Sequence, residues 1–323
     1  MKEYAVGIDV GGTKLAAGIV NQKGEVIAFQ KSATLSEQKP QFVIDATCQI
    51  FESLIAETGI DRSEIEGVGL GFAGTVNGPA GLVYVSSNLP EWHLMPLRDV
   101  VSERLGLPVI LENDANVVAV GEHKYGAGVG FDNMCYVCFS TGFGLGIIID
   151  GKLFSGTTGT AGELSHIVLE DDGYDCTCGK KGCLMTYASG VGISRAVYQR
   201  MEQGDRTSLE QYATPDKRRI SGKLVAEAAM AGDRVAIETL EKAGFYFGLG
   251  LSIITQLFNP ALIVIGGGLT RIGDLLMKPT YDSYYRTVQP ELKDTVQFKP
   301  WAFEDQGGII GAASLFFIDP ALR

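Results

Sequence analysis

Residues able to do chemistry fall into separate clusters along the 323-residue chain. Asp9-Val10-Gly11-Gly12-Thr13-Lys14 joins two apolar runs and has the parts of a phosphate cradle. Glycines bring backbone N–H groups close to an oxyanion, Thr13 adds a hydroxyl, Lys14 adds a charge, and Asp9 could hold Mg²⁺ directly or through water. A tight hairpin also needs glycine for its own geometry, and the segment is neither the GxxxxGK[ST] loop nor GxGxxG. Two further glycine turns strengthen the phosphate reading, one carrying Thr141 and Gly142 and one at Gly266, Gly267 and Gly268 after an apolar run. Three such turns can converge on one nucleotide. In Leu111-Glu112-Asn113-Asp114-Ala115-Asn116 a carboxylate falls between a predicted strand and a predicted helix. Asn113 or Asp114 there could cap the helix, worth about 1 kcal/mol, or the carboxylate could act as a general base on a substrate hydroxyl.

Gly162-Glu163-Leu164-Ser165-His166 precedes Cys176-Thr177-Cys178-Gly179-Lys180-Lys181-Gly182-Cys183. Three thiolates in CxC and Cx4C spacing, with His166 upstream, supply the four ligands of a closed tetrahedral Zn²⁺ site. A closed site has no open position for water, so this metal would be structural and would fix the loop that carries Glu163 and His166. A redox CxC pair with Cys183 as resolving thiol is the other chemistry that this spacing allows. Cys48, Cys135 and Cys138 lie in apolar stretches and are expected in the core.

The framework that must position these groups reads as α/β. Strands are predicted up to Asp9 and from Leu15, around a turn at Gly11-Gly12-Thr13. Val43, Ala46, Ile50, Phe51, Leu54 and Ile55 have helical spacing within Gln41 to Thr58. Val68 to Phe72 and Val109 to Leu111 read as buried strands, and Ala115 to Lys124 as a helix. The opening theme recurs about 130 residues on, with Met134 to Phe139 apolar, a turn over Ser140 to Gly144, and Leu145 to Ile149 apolar again. Two such hairpins imply a duplicated architecture with a ligand cleft between its halves. Ala243 to Thr270 carries no charge, but Asn259-Pro260 divides it into a buried helix up to about Phe258 and a strand from Leu262 to Ile265. Gln199 to Arg219, including Lys217-Arg218-Arg219, reads as a solvated excursion between helices.

Composition excludes several classes. Lys and Arg number 27 against 38 Asp and Glu, a net charge of −11, so the basic footprint for nucleic acid or anionic membrane is missing. The N-terminus lacks the apolar stretch of a signal peptide, so a cytoplasmic protein is expected. Glycine supplies 42 residues, nearly twice the usual share of about 7%, without a repeat, which excludes collagen and leaves many positions of positive φ or close approach.

Together these residues resemble the ROK family of bacterial sugar kinases and sugar-responsive repressors, a branch of the actin-like ATPase clan. The resemblance rests on GIDVGGTK, NLPEW at Asn88 to Trp92, ENDAN at Glu112 to Asn116, STGFGLGIIIDGKLFSG, GELSH, the cysteine cluster, NPALIVIGGG and the closing GGIIGAAS. It implies an α/β fold of two actin-like (ribonuclease H-like) domains with a sugar and ATP cleft between them: 1–118 plus 307–323, and 119–306 with the zinc loop. It also implies an ATP-dependent hexose kinase acting on a primary 6-hydroxyl, glucose first, with N-acetylmannosamine, N-acetylglucosamine or fructose as alternatives. Asp114 would be the catalytic base; Gly74, Asn88, Asn113, Glu163 and His166 would contact the sugar, His166 doubling as a zinc ligand. Asp9, Gly11, Gly12, Thr13, Lys14, Thr141, Gly142, Gly266 and Gly267 would hold ATP and Mg²⁺. A homodimer or homotetramer is implied, with no nucleic-acid or membrane partner, and the phosphate motif at Asp9 leaves no room ahead of it for the repressors' helix-turn-helix. Two positions depart from the family pattern. Met185 stands where the family has a sugar-binding glutamate, a charge-assisted contact worth roughly 1.5–3 kcal/mol, and Ser140 stands where glycine is usual but can still offer its N–H.

Overall fold

The computed structural model describes residues 2–12, 14–32, 39–86, 89, 91–215 and 220–319. In chain order the elements are β1 (Tyr4–Val10), β2 (Leu15–Asn21), β3 (Val26–Ser32), α1 (Pro40–Thr58), β4 (Ile65–Phe72), β5 (Thr75–Asn77), β6 (Leu82–Val85), β7 (His93–Met95), α2 (Leu97–Leu105), β8 (Val109–Asn113) and α3 (Asp114–Tyr125). They continue with β9 (Met134–Phe139), β10 (Phe143–Ile149), β11 (Lys152–Leu153), α4 (Gly190–Glu202), α5 (Gly222–Met230), α6 (Arg234–Phe258), β12 (Leu262–Gly266), α7 (Asp274–Thr287), β13 (Gln297–Pro300) and α8 (Gly307–Ser314). One five-stranded sheet has the order β3-β2-β1-β4-β8, a second the order β11-β10-β9-β12-β13, and β5-β6-β7 form a small third sheet. In the first sheet β1–β2 and β2–β3 are antiparallel, whereas β1–β4 and β4–β8 are parallel.

Contacts divide the chain into two compact units: Met1–Tyr136 with Gly146–Gly162 and Lys299–Arg323, and Val137–Leu145 with Glu163–Phe298. Residues 119–136 and 146–162 thus group with the N-terminal elements, and the chain's last segment does too.

Alternation along β1 sorts the first sheet into two unlike faces. Val6, Ile8 and Val10 pack with Val43, Ile44, Phe51 and Leu54 of α1 in a broad apolar core. The opposite face is built from small residues and carries α8: Ala5 packs with Ala313 and Phe316, and Ala16 with Ile309 and Ile310. A Cβ at Gly7 would stand 1.8 Å from the Ile309 carbonyl oxygen, and one at Gly69 only 1.9 Å from that of Ala312. The helix backbone therefore lies directly on the strands. Helix α3 crosses the same helix as closely, since a Cβ at Gly311 would fall 1.9 Å from the Val117 carbonyl oxygen. At the other end of α3, fully buried Glu122 accepts hydrogen bonds from the Ala127 and Ala302 N–H groups at 2.8 and 2.7 Å. These bonds tie the segment that leads into α8 to the C-terminal turn of α3.

The predicted strands and helices appear in place, extended by a few residues at most. α6 ends at Phe258 with Asn259 in the left-handed region, its N–H bonded to the Thr255 carbonyl, followed by Pro260 and β12. Among the described residues no helix is long and apolar enough to cross a membrane. Cys48 and Cys135 are buried and Cys138 is half-buried. The second turn is shorter than predicted, because Phe143 and Gly144 already belong to β10, where Phe143 meets the edge of Phe247 at 5.7 Å.

Gln199 to Arg219 requires a correction. Gln199 to Glu202 complete α4, Leu209 is buried, and Arg200 pairs with Glu238 at 2.7 Å and with Asp205. Asp233, the N-cap of α6, also accepts from the Ser208 N–H at 2.7 Å and the Thr207 hydroxyl at 2.8 Å. Charge density concealed a network that buries one leucine. Lys217, Arg218 and Arg219 lie outside the described residues.

The α3–α8 crossing is the most sterically demanding contact of this framework. Gly311→Ala is expected to cost at least about 1–3 kcal/mol by overpacking, because the obstacle is backbone; a thermal melt of the purified variant checks it.

Candidate active site

In the first unit, β1 delivers Asp9 and Val10 to the turn, which closes through the Gly11 N–H bonding the Lys14 carbonyl at 3.0 Å. Gly11 and Gly12 are half-buried and Lys14 is exposed; Thr13 lies outside the described residues. Asp9 shares the small-residue face of β1, so its carboxyl meets the first turn of α8. A Cβ at Gly308 would come within 2.9 Å of the Asp9 carboxyl carbon.

Strand β8 and helix α3 meet at Asn113-Asp114. Asn113 is the N-cap: its side-chain oxygen accepts from the Ala115 and Asn116 N–H groups at 2.9 and 3.3 Å. Its side-chain nitrogen donates to the Gly74 carbonyl at 3.1 Å, so the cap also ties down the loop after β4. Asp114, the first helical residue, is half-buried and accepts from the Ala115 N–H at 2.9 Å. Of the two candidates for the cap, Asn113 is therefore the one that takes it, and Asp114 is the first helical residue. Beneath them buried Glu112 accepts from the Asn113 N–H at 2.8 Å and the Asn116 amide at 3.0 Å. Asn88 lies outside the described residues, while Trp92 of the same motif packs on Phe72 at 4.6 Å.

In the second unit the turn between β9 and β10 closes differently. The Ser140 N–H bonds the Gly142 carbonyl at 3.1 Å, so serine uses internally the donor that the sequence expectation offered to a ligand. Thr141 is exposed, and a Cβ at Gly142 would meet nothing within 4 Å. Behind this turn α4 begins: the Gly190 N–H bonds the Ser140 carbonyl at 2.8 Å, and Ser189 caps the helix by accepting from Gly192 at 3.1 Å. Sequence reasoning missed this cap, although a serine just ahead of a helical run is its ordinary signal. Gly266 ends β12 and Gly267 is buried with φ 95°, its Cα so near Phe139 that a Cβ would stand 2.4 Å from that residue's carbonyl oxygen. Gly268 is the exposed member of the trio.

The cysteine loop assembles as its spacing predicts. One ligand atom from each of His166, Cys176, Cys178 and Cys183 lies within 4.8 Å of every other. The Cys178 and Cys183 sulfurs are 3.6 Å apart, and His166 Nδ1 is 3.5 Å from the Cys176 sulfur. A tetrahedral zinc with Zn–S of about 2.3 Å and Zn–N of about 2.0 Å needs edges of about 3.8 and 3.5 Å, so the donor set fits that ion. A disulfide would need about 2.05 Å. Burial, then the neighbouring thiols, pushes Cys183 up to about 12, so uptake of a metal must displace its proton. The other imidazole nitrogen, Nε2, faces Glu163, whose carboxylate oxygen is 4.0 Å away. Met185 sits two residues beyond Cys183, half-buried, its carbonyl accepting from the Ser189 hydroxyl at 2.6 Å.

Electrostatically, Asp9 stands apart. Desolvation raises its carboxyl to about 6, only partly opposed by the charge of Lys14, and it makes no hydrogen bond among the described residues. In an unfolded chain it would titrate near about 3.9. The folded state thus holds a proton there more tightly, and unfolding becomes easier as pH rises from about 4 through about 6, by up to about 2–3 kcal/mol. Asp9→Asn is expected to raise the melting temperature of the ligand-free protein at pH 7.5. That advantage should vanish below pH 4, which melts across a pH series read directly.

The ROK family model matches residues 5–318. The glucokinase of Streptomyces coelicolor is 37% identical to this chain over 315 residues, 96% of each. A solved ROK family glucokinase from Streptomyces griseus, in complex with glucose and AMPPNP, is 36% identical with a TM-score of 0.81, over 97% of this chain and 98% of that one. The xylose repressor of Bacillus subtilis is 26% identical over 312 residues, 97% of this chain and 76% of the repressor. Likeness on this scale runs through nearly the whole chain: it belongs to the ROK family, whose sugar kinases have a two-domain, actin-like fold.

Proposed function

We propose that this protein is an ATP-dependent hexose kinase that phosphorylates the 6-hydroxyl of glucose. The observation that carries the reading is the likeness to the Streptomyces griseus glucokinase, whose structure holds glucose and an ATP analogue. Asp114 supplies the general base: its carboxylate takes the proton of the 6-hydroxyl as that oxygen attacks the γ-phosphorus and the bond to the β–γ bridging oxygen breaks, releasing ADP. Asn113, held by the cap and by Gly74, orients the sugar together with Asn88, Glu163 and His166. With Nδ1 turned to the thiols, His166 keeps Nε2 for a sugar hydroxyl.

The phosphates are held by the Gly11-Gly12-Thr13-Lys14 and Thr141-Gly142 turns, with the Gly266-Gly267 turn beside the adenosine. Asp9 would hold Mg²⁺ directly or through water, and the ion would supply neutralisation of phosphate charge. Zn²⁺ on His166, Cys176, Cys178 and Cys183 is structural. We place the enzyme in the cytoplasm as a homodimer or homotetramer without a nucleic-acid partner, in keeping with its net charge of −11. N-acetylmannosamine, N-acetylglucosamine and fructose are the alternative acceptors, because Met185 cannot accept hydrogen bonds from a sugar as a carboxylate does.

An ADP-release screen over hexoses and N-acetylhexosamines tests the reading, with turnover expected on glucose. Asp114→Asn should lower kcat by about 10²–10⁴ or more while leaving the melt and glucose binding intact; near-normal turnover would sink the mechanism. Elemental analysis should find close to one zinc per chain, lost together with thermal stability in Cys178→Ser.

A further inference from the structure

A cavity of about 690 Å³ in the second unit is walled by the loop that leads into Cys176 and by residues of α4 and α6. Three tyrosines form a stack along it. The rings of Tyr187 and Tyr246 lie 4.2 Å apart and nearly parallel, and Tyr174 follows at 5.0 Å from Tyr187. Tyr187 and Tyr246 are buried, so half-buried Tyr174 is the most accessible ring. Two cations stand over this stack: Lys242 Nζ is 5.6 Å from the Tyr174 centroid and 5.5 Å from that of Tyr187, and the Arg195 guanidinium is 6.0 Å from Tyr174.

Neither cation has a carboxylate partner among the described residues. Arg195 donates to the Asp175 carbonyl oxygen at 2.6 Å. Three acids also line the cavity: Glu170 accepts from the Tyr246 hydroxyl at 2.9 Å and Asp175 lies 3.8 Å from Lys181, whereas Asp172 makes no ion pair or hydrogen bond among the described residues. Two cations without a direct carboxylate partner therefore stand above one aromatic platform, with the acids at the rest of the cavity wall.

We propose that this cavity is a second ligand site, built for a hexose 6-phosphate. A dianionic monophosphate matches Arg195 and Lys242 in charge, the apolar C–H face of a pyranose matches the Tyr174 ring, and sugar hydroxyls match the acceptors Glu170 and Asp172. A nucleoside triphosphate fits less well, because the same acids would repel its additional charge. The site also touches the metal loop. The Tyr174 carbonyl accepts from the Gly182 N–H at 2.8 Å, beside Cys183, so a ligand on Tyr174 bears on the loop that carries His166. If the kinase reading holds, the ligand is the enzyme's own product and the site is a product sensor; that last step rests on the proposed function, whereas the ligand class does not.

Calorimetric titration of the full chain, presaturated with glucose and AMPPNP, tests this with glucose 6-phosphate and with inorganic phosphate as probes. Glucose 6-phosphate should bind at one further site, at least tenfold tighter than phosphate. Affinity should fall at least tenfold in Arg195→Gln/Lys242→Gln and partially in each single variant, while Tyr174→Ala should abolish the preference over phosphate. Unchanged affinity in the double variant, or phosphate binding as tightly as the sugar phosphate, overturns the proposal. A chain that phosphorylates no hexose but binds the sugar phosphate through Arg195 and Lys242 refutes the kinase reading alone; an active kinase without such binding refutes the site alone.

Discussion

The backbone of α8 lies in direct contact with the strands beneath it, and much of the first unit follows from that contact. A helix can approach a sheet this closely only where side chains have been removed, as at Gly7 and Gly69. Because α8 also meets α3 at Gly311, one short helix locates two carboxylates at once. Its first turn arrives at Asp9, and the helix it braces begins with Asp114. The distance between the proposed nucleotide-side carboxylate and the proposed base is thus set by backbone packing, which yields far less than side-chain packing would.

Three acids of this unit show how burial is managed when function is and is not at stake. Glu122 is completely buried, and backbone donors from two other segments converge on it. Glu112 is served by the Asn113 N–H and the Asn116 amide. Both are raised by desolvation and partly brought back by those bonds. Asp9 has the desolvation with only the charge of Lys14 against it. Unfavourable burial of a charge can persist where binding a ligand later offsets it, and under the proposed function that ligand would be the cation that arrives with the nucleotide.

Much of this was legible in the sequence where signals are local. The first hairpin, the helix from Pro40, the Asn259-Pro260 break and the cysteine loop depend on turn chemistry, periodicity or ligand spacing, all contained in short windows. What escaped depended on partners distant in sequence. β5, β6 and β7 are three or four residues each, too short for periodicity to register. α7 carries Pro279 in its interior, which argues against a helix until its neighbours are known. The charged stretch after α4 concealed Leu209 because its anchor, Asp233, lies 25 residues beyond Ser208. Ser140 looked able to offer its N–H, and only the closed turn reveals that Gly142 takes it.

The glycine surplus separates by what a side chain would strike. Gly267 needs positive φ and abuts Phe139, so the fold alone accounts for it, and its value as a nucleotide signal is smaller than its place in a GGG run suggests. Gly142 is the opposite case. Its φ is not positive and a methyl there would touch nothing, so neither backbone strain nor packing selects glycine. In the proposed nucleotide site, close approach of a phosphate to the Thr141-Gly142 backbone would give this glycine a use that the fold does not. Whether the fold itself requires a glycine depends on what surrounds it, as Phe139 surrounds Gly267 and nothing surrounds Gly142, and the sequence alone cannot distinguish the two.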